Sequence, residues 1–100
     1  MSDFMEVQVT EKDIECGKRW SRTECPIAIA ITRVIKELLP EDDNIVLVRK
    51  KTVRIEERVI AKDGKVWAWR LIKLPIKAQE FVYKFDRKQK VGPMTLELEI

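Results

Sequence analysis

Residues 54–69 place four basic side chains and two tryptophans on one face of a predicted hairpin, a combination typical of surfaces that hold nucleobases and phosphates. Such surfaces stack a nucleobase on an aromatic side chain and place basic side chains against the phosphates of the nucleic acid. The same residue types form protein-interface hot spots, in which Trp and Arg dominate. A helix covering the tryptophans would instead make them part of the core. All three interpretations are open, and the candidate binding residues are Arg54, Arg58, Lys62, Lys65, Trp67 and Trp69.

A second candidate is an anion site at the start of a helix. The loop 18–23 (KRWSRT) carries two arginines and leads into a helix whose free amides and dipole favour an anion. This helix end would lower the pKa of the Cys25 thiol if the sulfur faced the amides. Since no base is adjacent, a buried thiol in the cap region is the favoured interpretation. The predicted anion-binding residues are Arg19, Arg22, Thr23 and Cys25.

Basic residues are unevenly distributed, although the whole chain is nearly balanced. It contains 20 Lys and Arg against 17 Asp and Glu, a formal net charge of +3. Residues 49–90 hold 14 basic and 5 acidic residues, net +9, whereas the flanks hold 6 and 12, net −6. An acidic or phosphorylated partner would therefore meet the middle segment. A solvated surface rich in Lys and Glu explains the same composition equally well.

Missing residue types argue against most enzyme classes. The chain has no histidine, and so it has no Ser/His or Cys/His pair and lacks the commonest metal ligand. Cys16 and Cys25 cannot form a zinc site by themselves, and a cytosolic protein keeps them reduced. The acidic residues at 41–43 and 56–57 are expected to serve solubility. We therefore expect a protein that is not an enzyme, with no catalytic residues, no metal and no cofactor.

Length and composition favour a single domain over residues 1–100. Of the 100 residues 45% are hydrophobic, which is enough for one core. No apolar run approaches the roughly 20 residues that cross a bilayer. The acidic start, Met1-Ser2-Asp3, lacks the basic residues of a signal peptide. We expect a cytoplasmic protein without membrane contact.

Apolar periodicity predicts strands at 5–10, 45–48, 52–62, 65–74 and 94–100. A short helix is predicted between Thr10 and Gly17, with Thr10 and Asp13 forming its cap. A second helix, capped by Thr23 or Cys25, is predicted over residues 26–39. A third helix is predicted between Pro75 and Gly92-Pro93. This order predicts an α+β fold, a mixed or antiparallel sheet of about five strands with two amphipathic helices on one face. The residues expected to be buried together are Ile31, Val34, Leu38, Phe81, Val82 and Phe85.

Two of the predicted strands form a hairpin around Asp63-Gly64, a pair that tolerates the positive φ of a type I′ turn. If these two residues are the whole loop, Lys62 lies opposite Lys65. This pairing sets the register of the two strands and the residues on each face of the hairpin. Glu57 then lies opposite Arg70 on the core face, as a structural ion pair among apolar neighbours. Arg58 lies opposite Trp69 on the other face, where a guanidinium stacks on an indole.

Two motifs resemble those of small uncharacterised proteins from bacteriophages and prophages. Residues 23–31 (TECPIAIAI) contain a CP-[IV]-A-x-A-[IL] helix start, and residues 74–93 follow the pattern LP…A…F…FD…V-x-P. The similarity covers most of the chain. It implies a phage protein in the host cytoplasm that binds a host or defence component, and no catalytic residue carries over. Those proteins often have a second cysteine just before the motif, where Arg22 stands here, so that no metal or redox role carries over.

These features predict a non-enzymatic binding protein. The resemblance adds the expectation of a phage accessory or counter-defence protein that inhibits a host protein or sequesters a small anionic signalling nucleotide. The alternative is a nucleic-acid-binding module that uses the basic and aromatic face of the hairpin.

Overall fold

Three helices and five strands make up the described part of the chain. The structure, a computed structural model, describes residues 4–38, 44–61 and 64–99, while the side chains of Leu38 and of residues 57–69 lie outside this description. In chain order the elements are β1 (Phe4–Val9), α1 (Glu11–Cys16), α2 (Pro26–Leu38), β2 (Asn44–Val48), β3 (Thr52–Ala61), β4 (Gly64–Lys73), α3 (Ile76–Asp86) and β5 (Met94–Glu99). The predicted α+β class is confirmed.

The five strands form two antiparallel sheets instead of one. β1 pairs with β5, and β2, β3 and β4 form a three-stranded sheet in that order. In β1, Met5, Val7 and Val9 are buried while the residues between them are exposed. This alternation is the one expected of a strand with one wet face. The chain ends thus pair with each other and leave the central hairpin to a separate sheet.

Helix α2 connects the two sheets through a single apolar face. It contacts β1 of one sheet and β2 of the other. Ile27 and Ile31 are completely buried in these contacts, and each stabilises the fold by about 1.5–3 kcal/mol. Ile35 is also buried. Of the residues of α2 that were expected to be buried, Ile31 is confirmed, and Val34 is half-buried. Leu38, expected to be buried with them, lies outside the described side chains.

Helix α3 adds aromatic side chains to the same core. Its buried residues are Ala78, Phe81 and Phe85. The two phenylalanine rings are nearly parallel, with centroids 6.2 Å apart. Val82, predicted with them, is half-buried and packs at the core's edge. The helix ends at Asp86, before the predicted Gly92-Pro93, and Lys88 adopts the left-handed conformation (φ 61°) that glycine usually takes at helix ends.

The register of the β3–β4 hairpin differs from the predicted one by two residues. Ala61 pairs with Gly64, which leaves residues 62 and 63, outside the described part, between the strands. Glycine is also favoured at the last position of a turn, so the Asp-Gly pair alone does not fix the register. A shift of two keeps every residue on its predicted face but changes its partner. Arg58 accordingly lies opposite Trp67, not Trp69.

The predicted position of Glu57 directly opposite Arg70 is therefore wrong, and the ion pair predicted for them lies outside the described side chains, which do not include that of Glu57. Glu57 lies opposite Ala68, and Arg70 lies opposite Ile55. Arg70 is exposed, although it shares the face of the buried Ile55 and Ile72. The core covers this face of the hairpin near the base, and the charge of Arg70 lies beyond it in solvent.

An ion pair between the buried carboxylate of Asp13 and the exposed side chain of Arg33 fixes α1 and β1 against α2. In the predicted cap of α1, the amide of Asp13 donates to Oγ1 of Thr10 (3.2 Å) and the amide of Thr10 donates to Oδ2 of Asp13 (3.0 Å). Arg33 of α2 donates to both carboxylate oxygens, at 2.7 and 2.9 Å, and to the carbonyl oxygen of Gln8 at 2.9 Å. Asp13 is only 3% exposed. The hydrogen bonds from Arg33 are the main reason why the pKa of Asp13 lies below its ordinary value of 3.8.

We predict that Arg33→Ala lowers the free energy of unfolding by about 1–3 kcal/mol, because it leaves the buried Asp13 carboxylate without its main partner. Chemical denaturation measures this loss. Lys36→Ala, an exposed position on the same helix, is the matched control and should change stability by less than about 0.5 kcal/mol. Equal effects of the two substitutions would show that the ion pair contributes nothing.

The lowered pKa of Asp13 also predicts how stability depends on pH. Its contribution is present above the unfolded-state value of 3.8 and is lost as the pH falls through the lower folded-state pKa. Asp13→Asn should therefore be less stable than wild type at neutral pH and should lose less stability on acidification below about pH 4. Denaturant titrations across this range test the difference. Parallel curves for the two proteins would contradict it.

Candidate functional site

A groove lies where the loop 18–24, the turn between β2 and β3, and α3 come together. One half runs along α3 and encloses about 400 Å³, and the other runs toward β2 and encloses about 520 Å³. Both volumes fall in the range of small-molecule sites. The two halves share Trp20, Lys50 and Lys51. We call the whole depression the Trp20 groove, and its defining residues are Trp20, Arg22, Arg49, Lys50, Lys51, Tyr83 and Arg87.

The loop 18–24 is fixed by its own hydrogen bonds. The amide of Lys18 donates to the carbonyl oxygen of Glu24 at 2.8 Å, and the two side chains form an ion pair at 3.1 Å. The hydroxyl of Ser21 accepts the amide of Glu24 at 3.0 Å. The amide of Val48 donates to the carbonyl oxygen of Arg22 at 2.8 Å and ties the loop to β2. The loop thus projects from a rigid base.

Trp20 lies within this loop in a strained conformation. Its φ of 61° is in the left-handed region, which costs a bulky residue on the order of 1–3 kcal/mol. Its amide donates to Oδ1 of Asp86 on α3 at 2.9 Å, and this bond holds the conformation in place. The side chain is 66% exposed. Strain of this kind concentrates at binding sites, and here it accompanies a large ring left in solvent.

Tyr83 and Arg87 form the wall of the groove on α3. The guanidinium carbon of Arg87 lies 3.7 Å from the centroid of the Tyr83 ring and 5.4 Å from that of the Trp20 ring. Tyr83 is 55% exposed, and Ile76 on the same wall is 73% exposed. Each cation–π contact of this type contributes about 0.5–1 kcal/mol at an exposed site. The groove therefore already holds a flat cation beside two exposed rings.

Three consecutive basic residues, Arg49, Lys50 and Lys51, form the turn between β2 and β3. The amide of Arg49 donates to the carbonyl oxygen of Thr52 at 2.8 Å, and the amide of Leu74 donates to that of Lys51 at 2.9 Å. The turn is thus anchored on both sides. All three side chains are exposed, and none joins an ion pair among the residues that the structure describes. Their charge is available to a ligand.

Basic residues outnumber acidic ones around the groove. The residues of the turn are joined there by Arg22, Lys84 and Arg87, whereas its acidic lining residues are Glu80 and Asp86. One carboxylate oxygen of Asp86 already accepts the Trp20 amide. The field in the groove favours an anion.

The predicted anion site at the start of α2 is not assembled. Sγ of Cys25 accepts the amide of Ala28 at 3.5 Å, so the sulfur itself caps the helix. Arg19 points elsewhere, with its guanidinium carbon 5.8 Å from the Phe85 ring centroid. Arg22 lines the Trp20 groove, and Thr23 lies outside the groove in a shallow depression on α2. The two arginines thus face different surfaces and do not clamp one anion.

The Cys25 thiol is structural, as the favoured interpretation of the sequence predicted. Burial raises the pKa of Cys25, and the negative charge of Asp86 adds to the effect. Hydrogen bonds from the amides of Ala28 and Ile27 lower it by less. The predicted lowering by the helix end is therefore wrong, because desolvation of a residue 3% exposed outweighs the amides.

The hairpin residues predicted to bind a partner are only partly described. Arg54 is half-buried and its Nε lies 3.1 Å from Oε1 of Glu56. Leu71 and Lys73, on the same face of β4, are exposed, so the described end of this face is open. The remaining candidates, whose side chains lie outside the description, are Arg58, Lys62, Lys65, Trp67 and Trp69.

Sequence reasoning missed two of the three segments that form the Trp20 groove. The run of basic residues at 49–51 and the spacing of Tyr83 and Arg87, four residues apart on one helix face, were the available signals. Each pattern also fits an ordinary solvated surface. The basic run and the Tyr83–Arg87 pair meet beside Trp20 only because the fold brings together segments about 30 residues apart in the chain.

No protein-family model, curated protein or solved structure matches this chain significantly. Among the described helices the longest has 13 residues, and none has the length and apolarity required to span a bilayer. Within the described ranges, no group of three or more Cys, Asp and Glu residues is placed to hold a metal ion.

We predict that the two cysteines differ sharply in reactivity. Cys16 is exposed, whereas Cys25 is buried with a raised pKa, and the thiolate is the reactive form. A thiol reagent at pH 8 should modify one cysteine rapidly in the folded protein, identified as Cys16 by mass spectrometry, and both in denaturant. Equal rates at the two positions in the folded protein would contradict the burial of Cys25.

Proposed function

We propose that this protein is a non-enzymatic binding protein that takes an anionic partner in the Trp20 groove. The observation that carries the proposal is the exposed turn at 49–51 beside the exposed rings of Trp20 and Tyr83. Three adjacent cations next to two solvated rings offer charge and ring faces to an anionic partner in one place.

The Trp20 groove is better suited to binding than to catalysis, because the side chains that line it supply positive charge and aromatic ring faces. The acidic residues there are Glu80 and Asp86, and Asp86 is engaged with the Trp20 amide. The thiol of Cys25, at the groove, is buried, and its sulfur caps α2 by accepting the amide of Ala28. Arginine, lysine and tryptophan at fixed positions are the residue types that hold phosphates and flat rings.

The setting we propose is the cytoplasm, and the resemblance to phage proteins suggests a host cell. A protein of this kind acts by occupying either a host protein or a signalling nucleotide. The volumes of the groove favour the small ligand, since a protein partner buries roughly 800 Å² on each side and needs a broader surface. Nucleic-acid binding through the hairpin is the second candidate, supported by the open, described end of that face.

We predict that reversing the charge of the turn removes anion binding. In Lys50→Glu/Lys51→Glu, the affinity for inorganic tripolyphosphate, measured by isothermal titration calorimetry at low salt, should fall at least about tenfold because two cations become repulsive. Lys12→Glu/Lys90→Glu changes the net charge by the same amount at exposed positions outside the groove, and is the matched control.

The control variant should lose no more than about twofold in affinity, the part due to net charge at that salt concentration. Equal losses in the two variants would show that tripolyphosphate responds to overall charge, and the groove would not be the site. Binding of single-stranded DNA with a steep salt dependence, unaffected by the Lys50 and Lys51 reversal, would favour the hairpin instead.

A further inference from the structure

The two halves of the Trp20 groove offer different chemistry to a ligand. The half along α3 adds the exposed ring of Tyr83 and the cations Lys84 and Arg87, whereas the half toward β2 adds Arg22 and Arg49 and no ring besides Trp20. Trp20, Lys50 and Lys51 border both halves, so the two regions are continuous. An inorganic anion would satisfy the cations and leave the rings in water. A ligand that uses the whole groove carries a flat ring and an anionic group on one molecule.

The position of Arg87 shows that there is room for a flat group beside both rings. Its guanidinium carbon lies 3.7 Å from the Tyr83 ring centroid and 5.4 Å from the Trp20 ring centroid. A guanidinium is planar, and nucleobases stack on aromatic rings in the same manner. Arg87 joins none of the ion pairs among the described residues. Its Nη1 donates to the carbonyl oxygen of Tyr83 at 3.2 Å, so that turning toward a phosphate breaks this hydrogen bond and the two ring contacts but no salt bridge among the described residues.

The backbone that carries these groups is already ordered. The loop 18–24 is closed by the contacts of Lys18 with Glu24 and joined to β2 through Arg22. The turn is anchored by the bonds at Arg49 and Lys51, and Trp20 is held to α3 by Asp86. A ligand therefore binds without ordering the loop or the turn, which is the main cost of binding at flexible sites.

From these observations we infer that the ligand of the Trp20 groove is a nucleotide. Its base stacks against Trp20 and Tyr83, and its phosphates lie on the turn at 49–51, with Arg22 and Arg87 as further phosphate partners. This inference rests on the proposed function and adds the ligand class. It requires the ring and the phosphates to be bound together, which is the property that the experiment addresses.

The test compares ATP with its two parts, adenosine and inorganic tripolyphosphate, by calorimetry at one salt concentration. ATP should bind at least about tenfold more tightly than either part, because stacking and charge act together. In Trp20→Ala, affinity for ATP should fall about tenfold while affinity for tripolyphosphate changes less than about twofold. Trp20→Phe keeps a ring and should retain most of the preference for ATP. Because Trp20 is largely exposed, its replacement should leave the protein folded and lower the melting temperature by only a few degrees, through the lost contact with Arg87.

The possible failures separate the inference from the proposed function. If tripolyphosphate binds as tightly as ATP, and Trp20→Ala changes neither, the nucleotide inference is overturned while anion binding in the groove stands. A preference for ATP that survives in Trp20→Ala would place the base elsewhere and also overturn the inference. If none of the three probes binds at millimolar concentration, both proposals are overturned.

Discussion

The burial of one face of α2 against two separate sheets is the contact on which the rest of the structure depends. The two sheets share no strand, and the isoleucines of this helix pack into the core that residues of both sheets and of α3 complete. Ile27 and Ile31 are fully buried there. The pair of Arg33 with Asp13 fixes the helix to the first strand and the first helix by hydrogen bonds that set its direction. Apolar burial thus supplies the energy, and the ion pair supplies the orientation.

This packing also determines where the Trp20 groove lies. Because the first turn of α2 is buried, with Cys25 as its cap, the preceding loop must leave along β2 and beside α3. Gly17 permits the close approach at the loop's start, since a side-chain carbon there would lie 2.5 Å from the Pro26 ring. The bond from Trp20 to Asp86 then fixes the loop against α3. The strain at Trp20 is supported by core contacts made elsewhere in the fold.

The elements could be predicted from the sequence where one local pattern had one physical explanation. The alternation in β1 and β5, the apolar face of α2 and the cap at Thr10 are of this kind. The hairpin register could not be predicted, because an Asp-Gly pair fits either the two central positions or the last two positions of a turn, and the resulting strand pairings differ by two residues. The groove could not be predicted from the sequence either. Trp20, the turn at 49–51 and Tyr83 meet only through long-range packing, and each of them alone fits an ordinary solvated surface.

We propose that the Trp20 groove, and not the hairpin, is the binding site. The chain has three tryptophans, so its heteronuclear NMR spectrum contains three indole N–H signals, which Trp20→Phe assigns to the groove or the hairpin. On titration with ATP, we expect saturable shifts of the Trp20 indole and of the Lys50, Lys51 and Tyr83 amides, with the Trp67 and Trp69 indoles unmoved. Shifts of Trp67 and Trp69 while the Trp20 indole stays in place would contradict the account.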